Sequence, residues 1–329
     1  MYRTSLYVNL ALIAAVIVLA VLPPFLGIYY GNLVTRMMIL GIFAMSLDLL
    51  IGYTGLVSFG HAAFFGLSGY LLAILTMDAE SASLYWVLPA CLAGTALAAV
   101  VIGWFSVRTS GIYFIMITLA FAQMLFFFFN ENTALGGSDG MFIFTKPTLA
   151  IGSWTPLDLE DHTTFYYVTL ASLALAYLGL RRLLNAPFGQ VIQGIRTNEN
   201  RTRALGYATR NYKLVSFVIA GTLAGFAGFL EAMHTSIISP AHLGWHESGT
   251  AMMTVILGGM GTLHGPVLGA FAFGFLHDWL QEVTDYPTLF MGLFVIAVVL
   301  FLPRGIVGLP ADLARLGRRR LPADQENDR

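Results

Sequence analysis

The chain has 329 residues, of which 57% are hydrophobic and 11% are charged, and its mean hydropathy is +0.75. This composition is typical of an integral membrane protein. The net charge of −1 gives no reason to expect a nucleic-acid partner, and the single cysteine, Cys91, excludes an intrachain disulfide and a multi-cysteine metal site.

Eight apolar segments are predicted to be membrane-spanning helices. In chain order they are 6–22, 33–51, 57–76, 84–106, 112–129, 163–180, 214–233 and 286–302. The first resembles a signal peptide, but no small-residue cleavage site follows it, so we predict a retained span. Between the last two, glycines and Pro266 interrupt residues 247–281, which predicts two short helices, either as two spans or as one re-entrant pair. The predicted fold class is therefore an all-α, polytopic helical bundle of about 8–10 transmembrane segments.

The distribution of positive charges predicts the orientation, since cytoplasmic loops are enriched in Lys and Arg. With Met1 inside, fifteen of the seventeen Lys and Arg residues fall on the cytoplasmic side, and only Arg36 and Lys146 fall outside. The segment 130–162 carries five acids against one lysine, as an external loop would. We therefore predict cytoplasmic termini, a transmembrane domain over residues 1–308 and a charged cytoplasmic tail over 309–329.

Two glycine-rich segments repeat one pattern. Residues 52–61 read GYTGLVSFGH and residues 258–266 read GGMGTLHGP, so each has a G-x-x-G string followed by a histidine. Non-helical backbone inside a membrane is tolerated only where protein or a water-filled path satisfies its polar groups, so paired breaks favour a translocation path. The alternative is that the glycines only allow close helix packing, as we expect for those of segment 214–233. The candidate path residues are Asp48, Gly52, Gly55, Ser58, His61, Gly258, Gly261 and His264.

Several ionisable residues lie in or beside the apolar segments, where a charge is costly without a partner. They are Asp48, His61, Glu231, His264, His277 and Asp278. A proton or substrate relay would use such groups, whereas an interhelical hydrogen bond is the simpler interpretation. Four histidines lie close together in sequence, His234, His242, His246 and His264, but their spacing matches no metal-site motif, so we predict no metal.

The string GLSG at residues 66–69 matches the nucleophile segment of rhomboid intramembrane proteases. A serine nucleophile needs a histidine base within hydrogen-bond reach, and the nearest imitation of that family's histidine segment is at His242. Because four such residues arise easily in a glycine-rich helix, a protease is a remote alternative and no catalytic residue is predicted.

Residues 181–213 hold seven of the seventeen Lys and Arg residues and only one acid, Glu199. Pro187 suits the first turn of a helix and Gly206 suits its far end. The apolar residues of this segment are few, and include Val191, Ile195 and Leu205. The segment is therefore expected to lie against another surface. A plain positive-inside connector is the alternative, although a connector does not need 33 residues with helix signals at both ends.

Three parts of the chain carry a resemblance to a known family: the string LDLLIGYTGLVSFGHAAFFG at 47–66, the segment 186–214 with APFGQ, IRTNE, ALG and YKL, and the string GGMGTLHGPVLG at 258–269. They resemble the membrane permeases of bacterial ABC importers for branched-chain amino acids, most closely the LivM-like subunit. The resemblance implies a bacterial inner-membrane protein that pairs with a LivH-like permease, two cytoplasmic ATPase subunits and a periplasmic substrate-binding protein. It implies no cofactor in this chain, because ATP and Mg²⁺ would bind to the ATPase subunits.

The resemblance also implies that segment 181–213 contains the coupling helix, which docks in a groove of the ATPase. The matching positions are Arg196, Asn198, Glu199, Arg201, Arg203, Ala204, Leu205 and Gly206. Relatives usually have two alanines and an acid where this chain has Arg201, Thr202 and Arg203, so its ATPase should present room and acidic groups.

A second departure from the family is Asp48, where relatives commonly carry Asn. This difference leaves the substrate open among branched-chain amino acids, urea, amides and aromatic acids. A proton-coupled secondary transporter that uses Asp48 or Glu231 as its carrier is the alternative function.

Overall fold

The computed structural model describes residues 6–25, 27–77, 83–151, 154–157, 159–302 and 305–308. The predicted tail 309–329 and the loop residues Arg3, Asp158 and Arg304 lie outside the described residues. The helices are α1 (Leu6–Val21), α2 (Ile28–Asp48), α3 (His61–Thr76), α4 (Leu84–Ser106), α5 (Ile112–Glu131), α6 (His162–Asn185), α7 (Pro187–Thr197), α8 (Glu199–Ala204), α9 (Thr209–Thr235), α10 (Trp245–Gly258), α11 (Gly265–Val283) and α12 (Pro287–Phe301).

The predicted all-α membrane fold is confirmed. In the described part of the chain, six helical stretches are long and apolar enough to cross a membrane. The helix α3 and residues Leu10–Val21 of α1 are shorter apolar helices. Each of the eight predicted spans corresponds to one helix whose ends lie within five residues of the predicted ones. Hydropathy locates these helices well because a bilayer imposes both their length and their composition.

Small residues on α9 allow this helix to pack closely in the middle of the bundle, against α3 and α4. A Cβ placed on Gly221 would lie 2.9 Å from the Cβ of Ala99, and one placed on Gly225 would lie 2.5 Å from Cγ2 of Thr95. The predicted packing role of the glycines in segment 214–233 is therefore confirmed.

The second and third spans differ from prediction where they meet. After α2 the chain continues as a π-helical turn, Leu49–Thr54, so the second span ends three residues later than predicted. Gly55 then adopts φ +80°, a left-handed conformation that terminates the helix. Residues 55–60 are not helical, so α3 begins at His61, four residues later than predicted.

Residues 247–281 belong to two helices, as predicted. The helices α10, of 14 residues, and α11, of 19 residues, form an antiparallel hairpin joined by residues 259–264. A helix of 14 residues is about 21 Å long, which is shorter than the roughly 30 Å hydrocarbon core. A Cβ on Gly258 would overlap the carbonyl of Gly265, and one on Gly269 would overlap that of Thr254, so the two backbones touch. Close helix packing therefore accounts for Gly258.

Among the described residues, four short strands lie at one end of the bundle and were not predicted. They are β1 (Met141–Phe142), β2 (Leu149–Ile151), β3 (Trp154–Leu157) and β4 (Ile237–Ile238). β1 pairs with β4 and β2 pairs with β3, both antiparallel. The first pair ties the loop that follows α5 to the end of α9.

The start of α6 is capped by Asp161, whose Oδ2 accepts a hydrogen bond of 2.9 Å from the main-chain N–H of Thr164. The backbone and side-chain hydrogen bonds from Thr164 hold the pKa of Asp161 below its usual value.

Candidate translocation and coupling site

The two predicted glycine breaks lie side by side. Asp48 is fully buried, and its Oδ1 accepts a hydrogen bond of 2.8 Å from the main-chain N–H of Gly261. A Cβ placed on Gly52 would lie 2.6 Å from the nitrogen of Gly261, so the two backbones are in direct contact. Segments that are more than two hundred residues apart in sequence are thus joined at one point.

Arg196, at the end of α7, contacts both breaks. Its guanidinium donates a hydrogen bond to the carbonyl oxygen of Gly52. A Cβ on Gly55 would lie 3.2 Å from Cγ of Arg196, and one on Gly261 would lie 3.1 Å from Nη1. We call this group, comprising Asp48, Gly52, Gly55, Arg196 and Gly261, the glycine-break cluster. It combines four residues predicted for the path with one predicted for coupling.

Ser58 and His61, the next predicted path residues, are also fully buried and make other contacts. Ser58 Oγ accepts a hydrogen bond of 3.3 Å from the N–H of Gly60. Nε2 of His61 lies 2.9 Å from Oγ of Ser46, and the imidazole stacks on Phe43 with ring centroids 5.9 Å apart. His61 is therefore held within the protein core.

The last predicted path residue, His264, is half-buried, and its Nδ1 has no hydrogen-bond partner among the described residues. Its position just before α11 places it on the hairpin turn that also contains Gly261. Assignment of these residues to a substrate path remains a prediction.

Two further ionisable residues singled out in the sequence, Glu231 and Asp278, have the partners that apolar surroundings require. Nε of Arg36 lies 3.6 Å from Oε1 of Glu231, and the hydroxyl of Tyr29 donates a hydrogen bond of 2.6 Å to Asp278. These pairs connect α2 with α9 and α2 with α11. Glu231 and Asp278 thus have partners on another helix, whereas Nδ1 of His264 and Nδ1 of His277 are buried without a hydrogen-bond partner among the described residues.

A cavity of about 550 Å³ lies between α2, α10, α11 and α12. Its charged or titratable lining residues are Arg36, Glu231, His242, His246, Glu247, His277 and Asp278. Of the eight predicted path residues, none contributes to its described lining. Sequence reasoning singled out Glu231, His277 and Asp278 individually, but it did not predict a common cavity because the lining comes from several separate helices.

The predicted coupling segment packs on the bundle through α7. Val191, Ile192 and Ile195 are buried, which confirms that this segment lies against another surface. Pro187 occupies the first turn of α7, and Gly206, with φ +90°, follows the end of α8, as predicted. Leu205 is 72% exposed, so the end of α8 faces outward.

Glu199 fixes α8 to the start of α9. Its carboxylate accepts hydrogen bonds from Nζ of Lys213 at 2.5 Å, Oγ1 of Thr209 at 3.1 Å and Nη2 of Arg203 at 3.2 Å. Burial raises the pKa of Glu199, but the hydrogen bond and charge of Lys213, together with Thr209 and Arg203, outweigh this effect and leave the pKa below its usual value.

The outward side of α8 is polar and basic. Asn198 caps the helix by accepting a hydrogen bond of 2.9 Å from the N–H of Arg201. Arg201, Arg203 and Ala204 are exposed. The positions matched to the coupling helix are therefore accessible, with two exceptions. Glu199 is held by its hydrogen bonds to the start of α9, and the guanidinium of Arg196 contacts the glycine-break cluster.

The protease-like string lacks the required geometry in the described structure. Ser68 is fully buried, and its Oγ has no hydrogen-bond partner among the described residues. Nδ1 of His242 lies 3.2 Å from Oγ of Ser239 instead. No serine–histidine pair of the kind needed for nucleophilic catalysis is formed at Ser68.

Comparison with known proteins identifies the family. The family described as "Branched-chain amino acid transport system / permease component" matches residues 29–303. The high-affinity branched-chain amino acid transport system permease protein LivM of Escherichia coli (strain K12) is 28% identical over 316 residues, which cover 90% of this chain and 74% of that protein. The LivH permease protein of Salmonella typhimurium is 24% identical over 286 residues, which cover 81% and 90% of the two chains.

A third relative is the probable LivM permease protein of Methanocaldococcus jannaschii, which is 32% identical over 110 residues, or 33% of this chain and 32% of that protein. No solved structure matches the chain. The family match spans both glycine breaks, the coupling segment and the cavity-lining helices. This chain, a multi-pass helical membrane protein, therefore belongs to the permease-component family of branched-chain amino acid transport systems.

Proposed function

We propose that this chain is the LivM-like permease subunit of an ATP-binding-cassette importer in a bacterial inner membrane. It pairs with a LivH-like permease, two cytoplasmic ATPase subunits and a periplasmic substrate-binding protein. The assembly moves branched-chain amino acids or a related small polar solute. Both termini and segment 181–213 lie in the cytoplasm, and ATP and Mg²⁺ bind to the ATPase subunits, so this chain itself catalyses no reaction.

The contact of Arg196 with both glycine breaks is the observation that carries this proposal. α7 bears exposed residues that a cytoplasmic partner can reach, while Arg196 at its end bonds to Gly52 and touches Gly55 and Gly261. Glycines have the widest choice of backbone conformations, so the first break can change shape when α7 moves, and the second, bonded to it, shifts with it. A displacement of α7 by the ATPase is thereby passed directly to both breaks, and uptake is coupled to ATP hydrolysis.

The opposite direction of coupling follows from the same contact. Asp48 holds the N–H of Gly261 while Arg196 holds the carbonyl of Gly52, so the two breaks move as one unit. A change at the substrate path would therefore alter the position of α7 and the rate of ATP hydrolysis, as reciprocal coupling requires.

An Arg196→Ala variant tests the proposal in proteoliposomes that contain the complete transporter. Loss of one charge-assisted hydrogen bond corresponds to about a tenfold effect, so we expect ATP-dependent uptake to fall about tenfold while ATP hydrolysis continues. The matched control is Arg210→Ala, because Arg210 lies in the same segment but packs over the ring of Trp104, 4.7 Å from its centroid. Unchanged coupling in Arg196→Ala would contradict the proposal.

One observation favours the proton-coupled alternative. Oδ2 of Asp48 is buried and has no hydrogen-bond partner among the described residues. Burial without a partner costs less for a neutral, protonated carboxyl group than for a charged one. Uptake by this chain alone, driven by a proton gradient without ATP, would establish that function and reject ours. A requirement for ATP, an ATPase subunit and a binding protein would reject the alternative.

A further inference from the structure

The helix α4 has exposed aromatic residues near both of its ends. Its 23 residues give a length of about 35 Å, slightly more than the roughly 30 Å hydrocarbon core. Tyr85 and Trp86 lie near its start and Trp104 lies near its end. Trp and Tyr are enriched at the two membrane–water interfaces. Because Arg210 of segment 181–213 contacts Trp104, this tryptophan marks the interface on the membrane face that carries the segment.

An apolar stripe leads along α4 to Trp104. Leu97, Val101 and Trp104 are spaced by four and three residues, which places them on one side of the helix. All three are exposed, as expected for side chains that contact the hydrocarbon chains of lipids. Arg108 follows four residues after Trp104, just beyond the end of the helix. The stripe therefore ends at a cation.

Two cations meet at Trp104. The guanidinium carbon of Arg108 lies 5.0 Å from the centre of the tryptophan ring. That of Arg210, in the first turn of α9, lies 4.7 Å from the same point. Both distances fall within the roughly 6 Å over which a cation is attracted to the face of a tryptophan. The ring thus holds together two positive charges that repel each other.

These two cations have no counter-charge among the described residues. Neither guanidinium takes part in an ion pair or a hydrogen bond there. The single acid of segment 181–213, Glu199, is engaged by Lys213 and Arg203 instead. Each guanidinium has several N–H donors that match the oxygen atoms of a phosphate group. Arg108 and Arg210 are therefore available to bind one anion together.

The chemistry of the occupant follows from the cations and the stripe. A water-soluble anion would leave the apolar stripe unused, and the ammonium group of phosphatidylcholine would add a third positive charge. A phospholipid with a net negative charge suits both parts, since basic groups between transmembrane helices bind anionic headgroups. We propose that Trp104, Arg108 and Arg210 form a binding site for one anionic phospholipid. Its phosphate accepts hydrogen bonds from both guanidinium groups, and an acyl chain lies along Val101 and Leu97.

This lipid would join the end of α4 to the start of α9. The inference goes beyond the proposed importer function and does not depend on it, because the site requires only that α4 crosses a membrane. Arg108 and Arg210 contact neither glycine break among the described residues, whereas Arg196 contacts both. Emptying the lipid site should therefore leave the ratio of uptake to ATP hydrolysis unchanged. Loss of Arg196 should change that ratio and leave lipid binding intact.

Quenching of Trp104 fluorescence by brominated lipids tests the site. Trp104 becomes the single tryptophan when the other four are changed to Phe, at Trp86, Trp154, Trp245 and Trp279. The full-length chain is placed in vesicles that mix phosphatidylglycerol with phosphatidylcholine, and the acyl chains of one or the other carry bromine. Each cation near the membrane surface favours an anionic lipid about fivefold, so we expect about a twentyfold preference for phosphatidylglycerol at Trp104.

Charge variants identify the groups that select the lipid. Arg108→Gln should lower the preference about fivefold, and Arg108→Gln combined with Arg210→Gln should abolish it. Arg182→Gln is the matched control, because Arg182 is an exposed cation in the last turn of α6, and this variant should keep the full preference. Equal quenching by both lipids before any charge is removed would overturn the proposal. A preference that survives in the double variant would overturn it as well.

Thermal unfolding of the chain with its native tryptophans gives a second test that needs no tryptophan changes. In an uncharged detergent, short-chain phosphatidylglycerol should raise the unfolding temperature, and the Arg108→Gln and Arg210→Gln double variant should lose this rise. Short-chain phosphatidylcholine and inorganic phosphate should have no such effect. An equal rise with inorganic phosphate would show an anion site without a lipid. Loss of the preference at Trp104 when the proposed ATPase partner is added would assign both cations to the docking face. Either result would overturn the lipid assignment.

Discussion

The two glycine breaks share one backbone conformation at the same position of their G-x-x-G strings. In each G-x-x-G string the last glycine is left-handed, with φ +80° at Gly55 and +76° at Gly261. Both of these glycines lie against Arg196. The repeated sequence pattern thus corresponds to a repeated local conformation, and not merely to a shared composition.

The breaks differ in what surrounds that conformation. The first combines the π-helical turn Leu49–Thr54, at the end of a long span, with the non-helical residues 55–60 that connect this span to α3. The second is a tight turn whose helices touch through the backbones of Gly258 and Gly265. π-Helical turns are often found at functional sites, whereas touching helix backbones leave no room for rearrangement. The difference indicates a movable first break that is held against a rigid second break.

The largest expected effect comes from disturbing the rigid break. In Gly258→Ala, the new methyl group would overlap the carbonyl of Gly265, which has no side chain to move away. Overpacking of this kind costs on the order of 3 kcal/mol, so we expect a clear loss of thermal stability in detergent. The matched control is Gly179→Ala on α6, where a Cβ would meet open space. Equal stability of both variants would show that the second break also yields, and the comparison would fail.

A smaller effect is expected at the contact between the breaks. In Asp48→Ala, the N–H of Gly261 loses its acceptor, which costs about 1–3 kcal/mol at a buried site. Asp48→Asn keeps an oxygen acceptor at this position, and we expect it to retain most of the stability and the ATP-dependent uptake. The measurements are thermal unfolding and uptake by the reconstituted transporter. Complete loss of uptake in Asp48→Asn with normal stability would instead support a proton carrier at this residue.

The membrane fold was predictable from sequence because each span carries its own hydropathy. The limits of α4 are those predicted, since one polar loop precedes it and Arg108 follows it. The start of α3 was misplaced because residues 57–60 are compatible with a helix in composition, while their conformation is set by Gly55 and by the close contact of Gly60 with Thr118. Local patterns do not reveal such tertiary contacts.

The candidate site was predictable only in its separate parts. The glycine pattern indicated both breaks, and the family resemblance pointed to Arg196, but their contact joins residues 144 positions apart. The cavity was harder still, since Arg36, Glu231 and Glu247 come from three different helices. Juxtaposition of side chains depends on how helices pack, which a single sequence does not display.

A fall in pH should destabilise α8 while leaving the conformation of both breaks unchanged. The lowered pKa of Glu199 means that its ion pairs add stability above its ordinary pKa of 4.5 and lose it as the pH falls below that value. We expect Glu199→Gln to remove this contribution already at neutral pH, at a cost of about 1 kcal/mol, or roughly fivefold faster hydrogen exchange in α8. Exchange at residues 199–206, corrected for intrinsic rates, measures the effect.

The control for this pH experiment is Glu131→Gln, which changes an exposed carboxylate at the end of α5. It should leave exchange in α8 and its pH dependence as in the unmodified chain. Faster exchange around Gly55 and Gly261 in Glu199→Gln would show that α8 and the breaks unfold as one cooperative unit. It would contradict the expectation that α8 loosens while both breaks stay unchanged.

The smallest effect on the fold is expected at Arg203, on the outward face of α8 and away from both breaks. Its side chain is 65% exposed, and its 3.2 Å pair with Glu199 is of the surface type that contributes only about 0.3–0.5 kcal/mol. Arg203→Glu should therefore lower thermal stability very little, yet weaken binding of the proposed ATPase partner several-fold, because the acidic groups expected in its docking groove would meet an acid. Arg203→Ala should give an intermediate affinity. Unchanged ATPase binding and stimulation in Arg203→Glu would mean that this charge serves only to orient the chain, and that coupling depends on the inward contact of Arg196 alone.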